Sequence, residues 1–501
     1  MRELKKSFWD FVTANIMIVF AVPLMIISES IQARYLGPGN YGKVALFLSA
    51  IVLLYTFGVS WLGLSIKRFG KEEFIKEDHL RKTTANFFIV SLFSFFVVSV
   101  LFYTYRKPIL TFLEIDKVNL FWLILIGAFI SLMKFFVLEV LQVIRLIKLY
   151  TFLFKLASKI FIVLGMLFFV FSILEISVIY VIYILLISDI LVIIIGISFI
   201  KTRYIYPFQF DKALLTKMII FSLPLMFNSW SGYVINWVDM YVIKYYMTLE
   251  DVGIYQAAYK ILNALKSFLG MGLIAITIPI IMVFKTKGEI DKIKNSYIKR
   301  LIPQISFSAM ILVSLIIIFS DQMFYIIYGE EFNSSILIFK ILMASVSFSI
   351  IGSGLAAIYI SFDLTKIILY IGILSGIFNI IADIFLVRYI GIEGAAIASF
   401  LVFSIGSIIR LLYLNRYFSI KRKLALLFPL ITVLILIINI LEISFIIKLF
   451  SSFSLLITVL LFARRFNLFN KKDIRLIQNI DMPPIVRRVF TKLILILSRD
   501  I

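Results

Sequence analysis

A turn rich in glycine and proline separates the first two apolar runs of this chain: Ala33-Arg34-Tyr35-Leu36-Gly37-Pro38-Gly39-Asn40-Tyr41-Gly42. Each flanking run is about twenty residues long, which is the length that crosses a bilayer as a helix. Glycine and proline interrupt helices, so we expect the turn to connect two membrane spans. Comparable apolar runs follow one another along the rest of the chain, and the pattern therefore predicts a helical membrane protein.

The composition agrees with this prediction. Hydrophobic residues make up 62% of the 501 residues, and the mean hydropathy is +1.07, whereas soluble chains are about half apolar. The apolar runs lack the alternation of barrel strands, so we expect an all-α polytopic membrane protein. The chain has no cysteine and a single histidine. That count excludes a disulfide scaffold and a thiolate or histidine metal cluster, and we expect neither a metal nor another cofactor.

The net charge of +22 permits two interpretations, a nucleic-acid partner or the positive-inside bias of cytoplasmic loops. Basic residues concentrate in alternate loops, such as those at 67–82 and 285–300, while the loop at 328–331 contains none. This alternation favours membrane topology, so no nucleic-acid partner is expected. It predicts about fourteen helices in a multi-pass protein of the cell (inner) membrane, with both termini cytoplasmic.

The predicted spans fall into two groups of six and a final pair. They are residues 11–31, 44–66, 85–103, 120–143, 152–171, 178–200, 219–241, 253–283, 302–319, 336–360, 367–387, 395–414, 424–440 and 444–462. We expect an N-terminal six-helix half at 1–217, a C-terminal six-helix half at 218–423, two additional transmembrane helices at 424–463 and a basic cytoplasmic tail at 464–501. Residues 485–497 mix apolar and basic side chains, which is typical of an amphipathic surface helix or of a disordered basic tail.

The middle of the chain holds a weaker copy of the first turn, Tyr245-Tyr246-Met247-Thr248-Leu249-Glu250-Asp251-Val252-Gly253. Matching Gly42 to Gly253 places a carboxylate near the outer end of the first helix of each half, Glu29 and Asp239. Because glycine and tyrosine are common, chance is the alternative to a duplication. Two pseudo-symmetric halves with a site at their interface are typical of transporters.

Three stretches, taken in order, resemble the polysaccharide-type flippases, the Wzx branch of the multidrug/oligosaccharidyl-lipid/polysaccharide exporter superfamily. They are residues 33–42, 252–259 and 389–398, the last preceded by Asn379 and Asp383. The resemblance covers the first twelve predicted spans. It implies translocation of a polyprenyl-pyrophosphate-linked oligosaccharide from the cytoplasmic to the outer leaflet by alternating access. No nucleotide-binding loop is evident, so we expect a cation gradient to drive it.

Basic side chains in or near the spans are the candidates for binding such an anionic cargo. A charge at mid-bilayer costs a few kcal/mol, so it faces a wet cavity or another charge. The candidates are Arg34, Lys134, Lys159, Lys260, Lys266 and Arg410. The alternatives are that Lys159 and Lys266 extend to the interface from the ends of their spans, that Arg410 anchors its span, and that the nearby Lys340 is interfacial.

Carboxylates in or near the spans are candidates for ion coupling or for charge pairing. They are Glu29, Glu139, Asp189, Asp239 and Asp383. Each either carries a coupled proton or sodium ion or neutralises a neighbouring cation, and pairing is the simpler account. Lys134 and Glu139 are five residues apart, so they do not form an i,i+4 pair on their helix.

One span contains three aromatic residues on a single helix face, Trp230, Tyr233 and Trp237. This face either stacks on sugar rings or packs against other helices, and the pattern favours packing. Pro23 and Pro224 lie within the first span of each predicted half. They predict helix kinks that act as hinges when one half rocks against the other.

Other functions stay open at this point. Within the same superfamily, the alternatives are a peptidoglycan-precursor (lipid II) flippase and a multidrug/cation antiporter. A membrane-bound polysaccharide polymerase or ligase requires catalytic residues in a sizeable outer loop, and every predicted outer loop is short. We find no catalytic residues and expect a transporter rather than an enzyme. Its expected partners are a lipid-linked oligosaccharide, membrane lipids and polysaccharide assembly proteins, and the chain is expected to be a monomer.

Overall fold

The computed structural model describes residues 2–465 apart from 115–117, 173–175, 287, 363, 419–421 and 442, together with 468–469, 488 and 491. Side chains are described for these residues except at 2–15, 118, 268–280, 282–284, 292, 294–297, 365, 422 and 424. The secondary structure of the described residues is helical, without a strand. This confirms the predicted all-α class.

The helices are numbered here in chain order. The first group comprises α1 (Arg2–Gly58), α2 (Gly63–Glu77), α3 (Arg81–Thr104), α4 (Arg106–Phe112), α5 (Val118–Val143), α6 (Ile147–Thr151), α7 (Ser158–Phe171), α8 (Val178–Ser198), α9 (Thr202–Ile205), α10 (Lys212–Tyr246) and α11 (Leu249–Thr286). A 3₁₀ turn at Ser60–Leu62 precedes α2, and a π-helical segment at Phe152–Ala157 joins α6 to α7.

The second group contains the remaining described helices. It comprises α12 (Ile290–Lys292), α13 (Ile302–Ile318), α14 (Ser320–Tyr328), α15 (Ser335–Ser361), α16 (Thr365–Ile390), α17 (Ile392–Asn415), α18 (Arg422–Ile440) and α19 (Phe445–Arg465). A π-helical segment at Ile293–Leu301 precedes α13, and a 3₁₀ turn at Glu330–Phe332 lies between α14 and α15.

The glycine- and proline-rich turn is a one-residue break inside α1. Gly37 has φ +69° and ψ 169°, a left-handed backbone that other residues rarely adopt, and Pro38 follows it. Helical geometry continues on both sides of the break. A helix of 57 residues is about 86 Å long, nearly three times the thickness of the bilayer core. This length is sufficient for one crossing before Gly37 and another after it, and these two crossings stay a prediction.

Among the described residues, eleven helices are long and apolar enough to cross a membrane. They are Ile16–Gly58, Arg81–Thr104, Asn119–Val143, Ile147–Phe171, Val178–Ser198, Lys212–Tyr246, Ile298–Ile318, Ser335–Ser361, Lys366–Ile390, Ile392–Asn415 and Phe445–Arg465. The predicted first and second spans both overlap the first of these, but the helix ends at Gly58 and not at residue 66 as predicted. The thirteenth span corresponds to the shorter apolar helix Ala425–Ile440. The chain is a multi-pass membrane protein, and fourteen crossings stay a prediction.

The helices form two compact units. The first contains Met1–Phe268, Phe324–Ile338 and Lys366–Ser399, and the second contains Leu269–Met323, Phe339–Thr365 and Phe400–Ile501. The core of the first unit includes Leu62, Leu132 and Val192, while the core of the second includes Met310 and Ile435. These units are defined by contacts and not by sequence repetition, so the two predicted halves stay a prediction.

The two additional helices belong to the second unit. Ser306 on α13 donates a hydrogen bond to the carbonyl oxygen of Ala425 on α18 (2.8 Å), and Gln304 donates to that of Leu468 beyond α19 (2.8 Å). Most of the predicted tail, including the proposed amphipathic helix at 485–497, lies outside the described residues.

Lys340 on α15 forms an ion pair within the protein. Its ammonium group lies 2.6 Å from Asp321 Oδ1, and the residue is 5% exposed. Lys340 and Lys448 both donate to the carbonyl oxygen of Asn439 near the end of α18 (3.5 and 3.2 Å), where the helix dipole favours cations. Lys340 is therefore buried within the protein and paired with Asp321, and its position relative to the membrane interface stays a prediction.

Candidate functional site

An ion pair joins the first and eleventh helices inside the membrane-spanning part of the first unit. Lys260 Nζ on α11 lies 2.9 Å from Glu29 Oε1 on α1, and the Tyr41 hydroxyl donates to Glu29 Oε2 (2.6 Å). Glu29 is 5% exposed. A buried carboxylate needs such partners because the low-dielectric interior does not solvate it. Both oxygens of Glu29 are therefore occupied.

A second intramembrane pair lies nearby in the same unit. Lys134 Nζ on α5 is 2.5 Å from Asp189 Oδ1 on α8. Lys159 on α7 is half-buried and lies close enough to interact electrostatically with this pair and with Glu29 and Lys260. The five side chains are called the charge network below.

The charge network contains one more cation than anion. Its three lysines face two carboxylates, and both carboxylates are paired with other lysines. Lys159 has no hydrogen-bond or ion-pair partner among the residues that the structure describes. An ammonium group in a span is costly unless it meets water or an anion. The arrangement therefore has the chemistry to attract an anionic group to Lys159.

A cluster of carboxylates occupies another part of the first unit. Asp239 on α10 and Asp383 on α16 are 1% and 0% exposed, and their carboxyl groups lie close enough to interact. Asp239 Oδ2 accepts hydrogen bonds from the hydroxyl groups of Tyr255 and Ser399, the latter at 2.8 Å. These residues, with Asn379, are called the carboxylate cluster.

Several polar atoms of the carboxylate cluster make no well-aligned hydrogen bond within the described part of the chain, although Asp383 and Asn379 lie within reach of the Asp239 carboxyl group. They are Asp239 Oδ1, both carboxyl oxygens of Asp383, and the side-chain oxygen and nitrogen of Asn379. Two adjacent buried carboxylates repel each other when both are ionised, so they hold either a proton or a bound cation. Hard oxygen atoms of this kind suit a small cation. Lys266 on α11 also interacts electrostatically with Asp239.

The remaining charged candidates lie elsewhere. Arg34 donates to the carbonyl oxygens of Ile327, Ile326 and Tyr325 (3.1, 2.5 and 3.3 Å), so its guanidinium group caps the C-terminal end of α14. Its contact with a cargo stays a prediction.

Glu139 and Arg410 are separate from the charge network. Glu139 pairs with Lys67 (3.1 Å) and not with Lys134, as its spacing predicts. Arg410 is half-buried in the second unit, where the Tyr359 hydroxyl donates to its backbone carbonyl (2.9 Å) and its Nε atom is buried without a partner. The contact of Arg410 with a cargo therefore stays a prediction.

The aromatic face of α10 packs against α1. Trp230 stacks on Phe57 with ring centres 4.7 Å apart, and Trp237 stacks on Tyr233. The Tyr233 hydroxyl donates to the carbonyl oxygen of Ser49 (3.1 Å). These contacts favour the packing interpretation over sugar stacking.

The two predicted hinges lie inside continuous helices. Pro23 is within α1 and Pro224 is within α10. The break in α1 is at Gly37 and not at Pro23. Hinge motion at either proline stays a prediction.

Among the described residues, Glu73, Glu77 and His79 form a group whose ligand atoms lie close enough together for a metal ion. Glu73 already accepts hydrogen bonds from the backbone N–H groups of Lys82 (2.9 Å) and Thr83 (2.8 Å), which begin α3. A hydrogen bond from the Lys82 ammonium lowers the pKa of the Glu77 carboxyl. Helix capping and charge pairing therefore account for this group.

The sequence pattern did not reveal several residues of these clusters. Tyr41, Tyr255 and Ser399 supply hydroxyl groups to the buried carboxylates. A signal was present, because Tyr41 and Tyr255 lie within two of the recognised motifs. Nothing in the local sequence indicates which carboxylate each one meets.

Comparison with solved structures defines the class of protein. The fold is similar to that of the lipid II flippase MurJ in an inward closed conformation, with a TM-score of 0.71 and 16% identity, covering 91% of this chain and 99% of that chain. It is also similar to an inward-facing multidrug resistance MATE family transporter of the MOP superfamily, with a TM-score of 0.67 and 15% identity, covering 81% and 98%. The chain therefore shares its fold with these two transporters.

The sequence places the chain within a protein family. The family model described as "Polysaccharide biosynthesis protein" matches residues 10–285, which is more than half of the chain, and the chain belongs to this family. It is also similar to the "Probable low-salt glycan biosynthesis flippase Agl15" of Haloferax volcanii, with 25% identity over 201 residues, 39% of this chain and 41% of that protein. The match thus spans less than half of this curated relative. The resemblance to polysaccharide-type flippases is confirmed.

Proposed function

We propose that this protein is a flippase that translocates a polyprenyl-pyrophosphate-linked oligosaccharide from the cytoplasmic to the outer leaflet by alternating access. The observation that carries the proposal is the surplus cation of the charge network. Three lysines on α5, α7 and α11 share two carboxylates inside membrane helices. A phosphate or pyrophosphate linkage supplies the missing negative charge and can displace a carboxylate from its lysine.

Family and fold support the same cargo class. The chain belongs to a polysaccharide biosynthesis family, its curated relative carries a glycan flippase name, and a structural neighbour is a lipid II flippase. These names refer to a glycan and to a lipid, and a glycan linked to a lipid through phosphate groups is the cargo that the charge network suits.

A cation gradient is the proposed energy source. The carboxylate cluster fits a proton or a sodium ion, because the buried carboxyl groups of Asp239 and Asp383 lie next to each other and to Asn379. When bound, the cation supplies the positive charge that lets both carboxylates stay buried. Tyr255 and Ser399 orient Asp239 through their hydroxyl groups. Release of the cation on one side of the membrane then changes the electrostatic energy of this part of the first unit.

A multidrug/cation antiporter is the second candidate, on the basis of its similar fold. Cationic drugs favour a site with surplus carboxylates, which describes the carboxylate cluster but not the charge network. A lipid II flippase has an anionic glycolipid cargo and is the closer alternative. We place the protein in the inner membrane with cytoplasmic termini, as a monomer that delivers its cargo to polysaccharide assembly proteins.

Translocation by the purified chain in proteoliposomes tests this function. The probe is a fluorescent polyprenyl pyrophosphate that carries an N-acetylglucosamine disaccharide, with chemical quenching of the outer leaflet as the readout. Movement across the bilayer that exceeds protein-free liposomes supports the proposal. Transport of cationic drugs without movement of the glycolipid would establish the antiporter instead.

A further inference from the structure

Helix α10 has an exposed polar stripe that neither the charge network nor the carboxylate cluster uses. Asn228, Gly232 and Asn236 are four residues apart, so they share one face of the helix over about 12 Å. Both asparagines are exposed, although α10 lies in a membrane span. A carboxamide that faces lipid is costly, so this face of α10 borders a water-filled space.

Two helices of the same compact unit border the stripe. On α11, the Tyr259 hydroxyl donates to Asn236 Oδ1 (2.9 Å). On α16, a Cβ atom at Gly372 would lie 3.9 Å from Asn228 Oδ1. Between the asparagines, a Cβ atom at Gly232 would meet no heavy atom within 4 Å, so the floor of the stripe is open. These five residues are called the amide groove below.

The other faces of α10 have different surroundings. Trp230 and Tyr233 pack against α1. Leu223 lies nine residues before Gly232, which puts it about 180° away on the helix, and it is 44% exposed. Leu223 suits lipid, whereas the asparagines suit water. The exposed side of α10 is thus divided between an apolar face and the amide groove.

The amide groove offers neutral donors and acceptors to a ligand. The Asn228 carboxamide has no hydrogen-bond partner in the described part of the chain, and it presents an N–H group and a carbonyl oxygen together. Asn236 donates to the Gly232 carbonyl oxygen (2.5 Å) and keeps its second N–H. A sugar hydroxyl group is both a donor and an acceptor. It can accept a hydrogen bond from the N–H group of a carboxamide and donate one to its oxygen. The groove suits a neutral polyhydroxyl ligand.

Tyr259 and Lys260 are consecutive on α11, so the amide groove and the charge network lie at the same level of that helix, on faces about 100° apart. Tyr259 bonds to Asn236, and Lys260 pairs with Glu29. A lipid-linked glycan has the same order, because its first sugars adjoin its phosphate groups. We infer that the amide groove binds the sugars next to the phosphate linkage and thereby selects for a glycosylated carrier over a bare one; this inference rests on the proposed function.

The test compares two probes on the full chain in nanodiscs. One is a polyprenyl pyrophosphate bearing an N-acetylglucosamine disaccharide, and the other is the same lipid without sugar. Gly232→Trp fills the groove, and Leu223→Trp places the same side chain on the opposite face as the control. We expect Gly232→Trp to weaken binding of the glycosylated probe about tenfold, equivalent to one or two lost hydrogen bonds. Binding of the bare lipid and both affinities of Leu223→Trp should stay within about twofold of the wild type.

Asn228→Ala provides a second variant, which removes a carboxamide that has no hydrogen-bond partner among the described residues. It should weaken binding of the glycosylated probe and spare the bare lipid. Equal effects on the two probes, or no effect of either variant, overturn the groove assignment. Wild-type binding that is equally tight for both probes also overturns it but leaves the flippase proposal standing. If the wild type binds neither probe, the proposed function fails and the groove assignment falls with it.

Discussion

Gly42 and Gly253 pack at reciprocal positions on α1 and α11. A Cβ atom at Gly42 would clash with the carbonyl oxygen of Leu249, and one at Gly253 would clash with that of Pro38. Each carbonyl belongs to the residue four positions before the other glycine. The alignment that matches Gly42 to Gly253 in the sequence is therefore also the register in which the two helices cross. Such local two-fold symmetry is what an internal duplication predicts.

Alanine at either glycine should destabilise this crossing. Its methyl group meets backbone rather than a flexible side chain, so the helices must separate, at a cost of about 1–3 kcal/mol. Thermal unfolding in detergent should show a lower midpoint for Gly42→Ala and Gly253→Ala. Gly39→Ala, in the same turn, meets no heavy atom within 4 Å and is the matched control. Equal midpoints for all three variants would contradict the close crossing.

Charge reversal at Lys260 should abolish translocation. Lys260→Glu places two carboxylates side by side, repels an anionic cargo and costs several kcal/mol of local stability. The double variant Glu29→Lys with Lys260→Glu restores the pair with its charges exchanged. It should regain more of the wild-type stability than of the wild-type transport activity. Proteoliposome assays with a stability measurement separate these effects. Normal transport by Lys260→Glu would show that the charge network does not bind the cargo.

Lys159 and Lys134 should respond differently to neutralisation. Lys159→Gln removes the surplus cation and leaves no carboxylate unpaired, so it should weaken binding of a pyrophosphate lipid about ten- to a hundredfold at nearly unchanged stability. Lys134→Gln strands Asp189, whose partner is 2.5 Å away, and should lower stability as well. Titration of labelled lipid, together with thermal unfolding, distinguishes the two. Unchanged lipid affinity in Lys159→Gln would contradict its assigned function.

Neutralising Asp383 should remove cation dependence. Asp383→Asn keeps the shape of the side chain but eliminates the repulsion with Asp239 that a proton or sodium ion relieves. Transport by the wild type should rise when a proton or sodium gradient is imposed, and transport by this variant should be insensitive to both gradients. Glu139→Gln, in a separate ion pair, serves as the control. A variant that responds to gradients like the wild type would remove the carboxylate cluster from coupling.

Single cysteines can establish the topology without background labelling, because the chain contains no cysteine. Lys71 on α2 and Glu331 after α14 are both exposed. In intact cells, a membrane-impermeant maleimide should label Glu331→Cys, and it should label Lys71→Cys only after lysis. The opposite pattern would invert the predicted orientation.

Much of the fold could be predicted because it depends on features that are local in the sequence. Part of the site could not be predicted because it depends on contacts between residues that are distant in the sequence. Apolar length predicts the spans, and the Gly37-Pro38 pair predicts the break in α1 because its backbone requirement is local. The intramembrane charges were also visible as costly exceptions. Their partners were not, since Glu29 and Lys260 are 231 positions apart and only tertiary packing brings them together.

The amide groove illustrates the same limit from another side. Asn228 and Asn236 have helical spacing, but a neutral amide in a span carries a weaker signal than a charge. The aromatic residues Trp230 and Tyr233, on another face of α10, suggested sugar stacking from the sequence. In the structure they pack against α1. Exposure, which requires coordinates, is what separates a lining residue from a packed one.

Translocation of two matched lipids tests the central claim most directly. Both carry the same fluorescent disaccharide, one through a polyprenyl pyrophosphate and the other through an uncharged linkage. The surplus cation of the charge network predicts that proteoliposomes translocate the pyrophosphate lipid, and that both Lys159→Gln and Lys260→Glu reduce this transport. The translocation rate of the uncharged lipid should remain close to the rate in protein-free liposomes. Equal transport of both lipids, or failure to move the pyrophosphate lipid under an imposed proton or sodium gradient, would contradict the account.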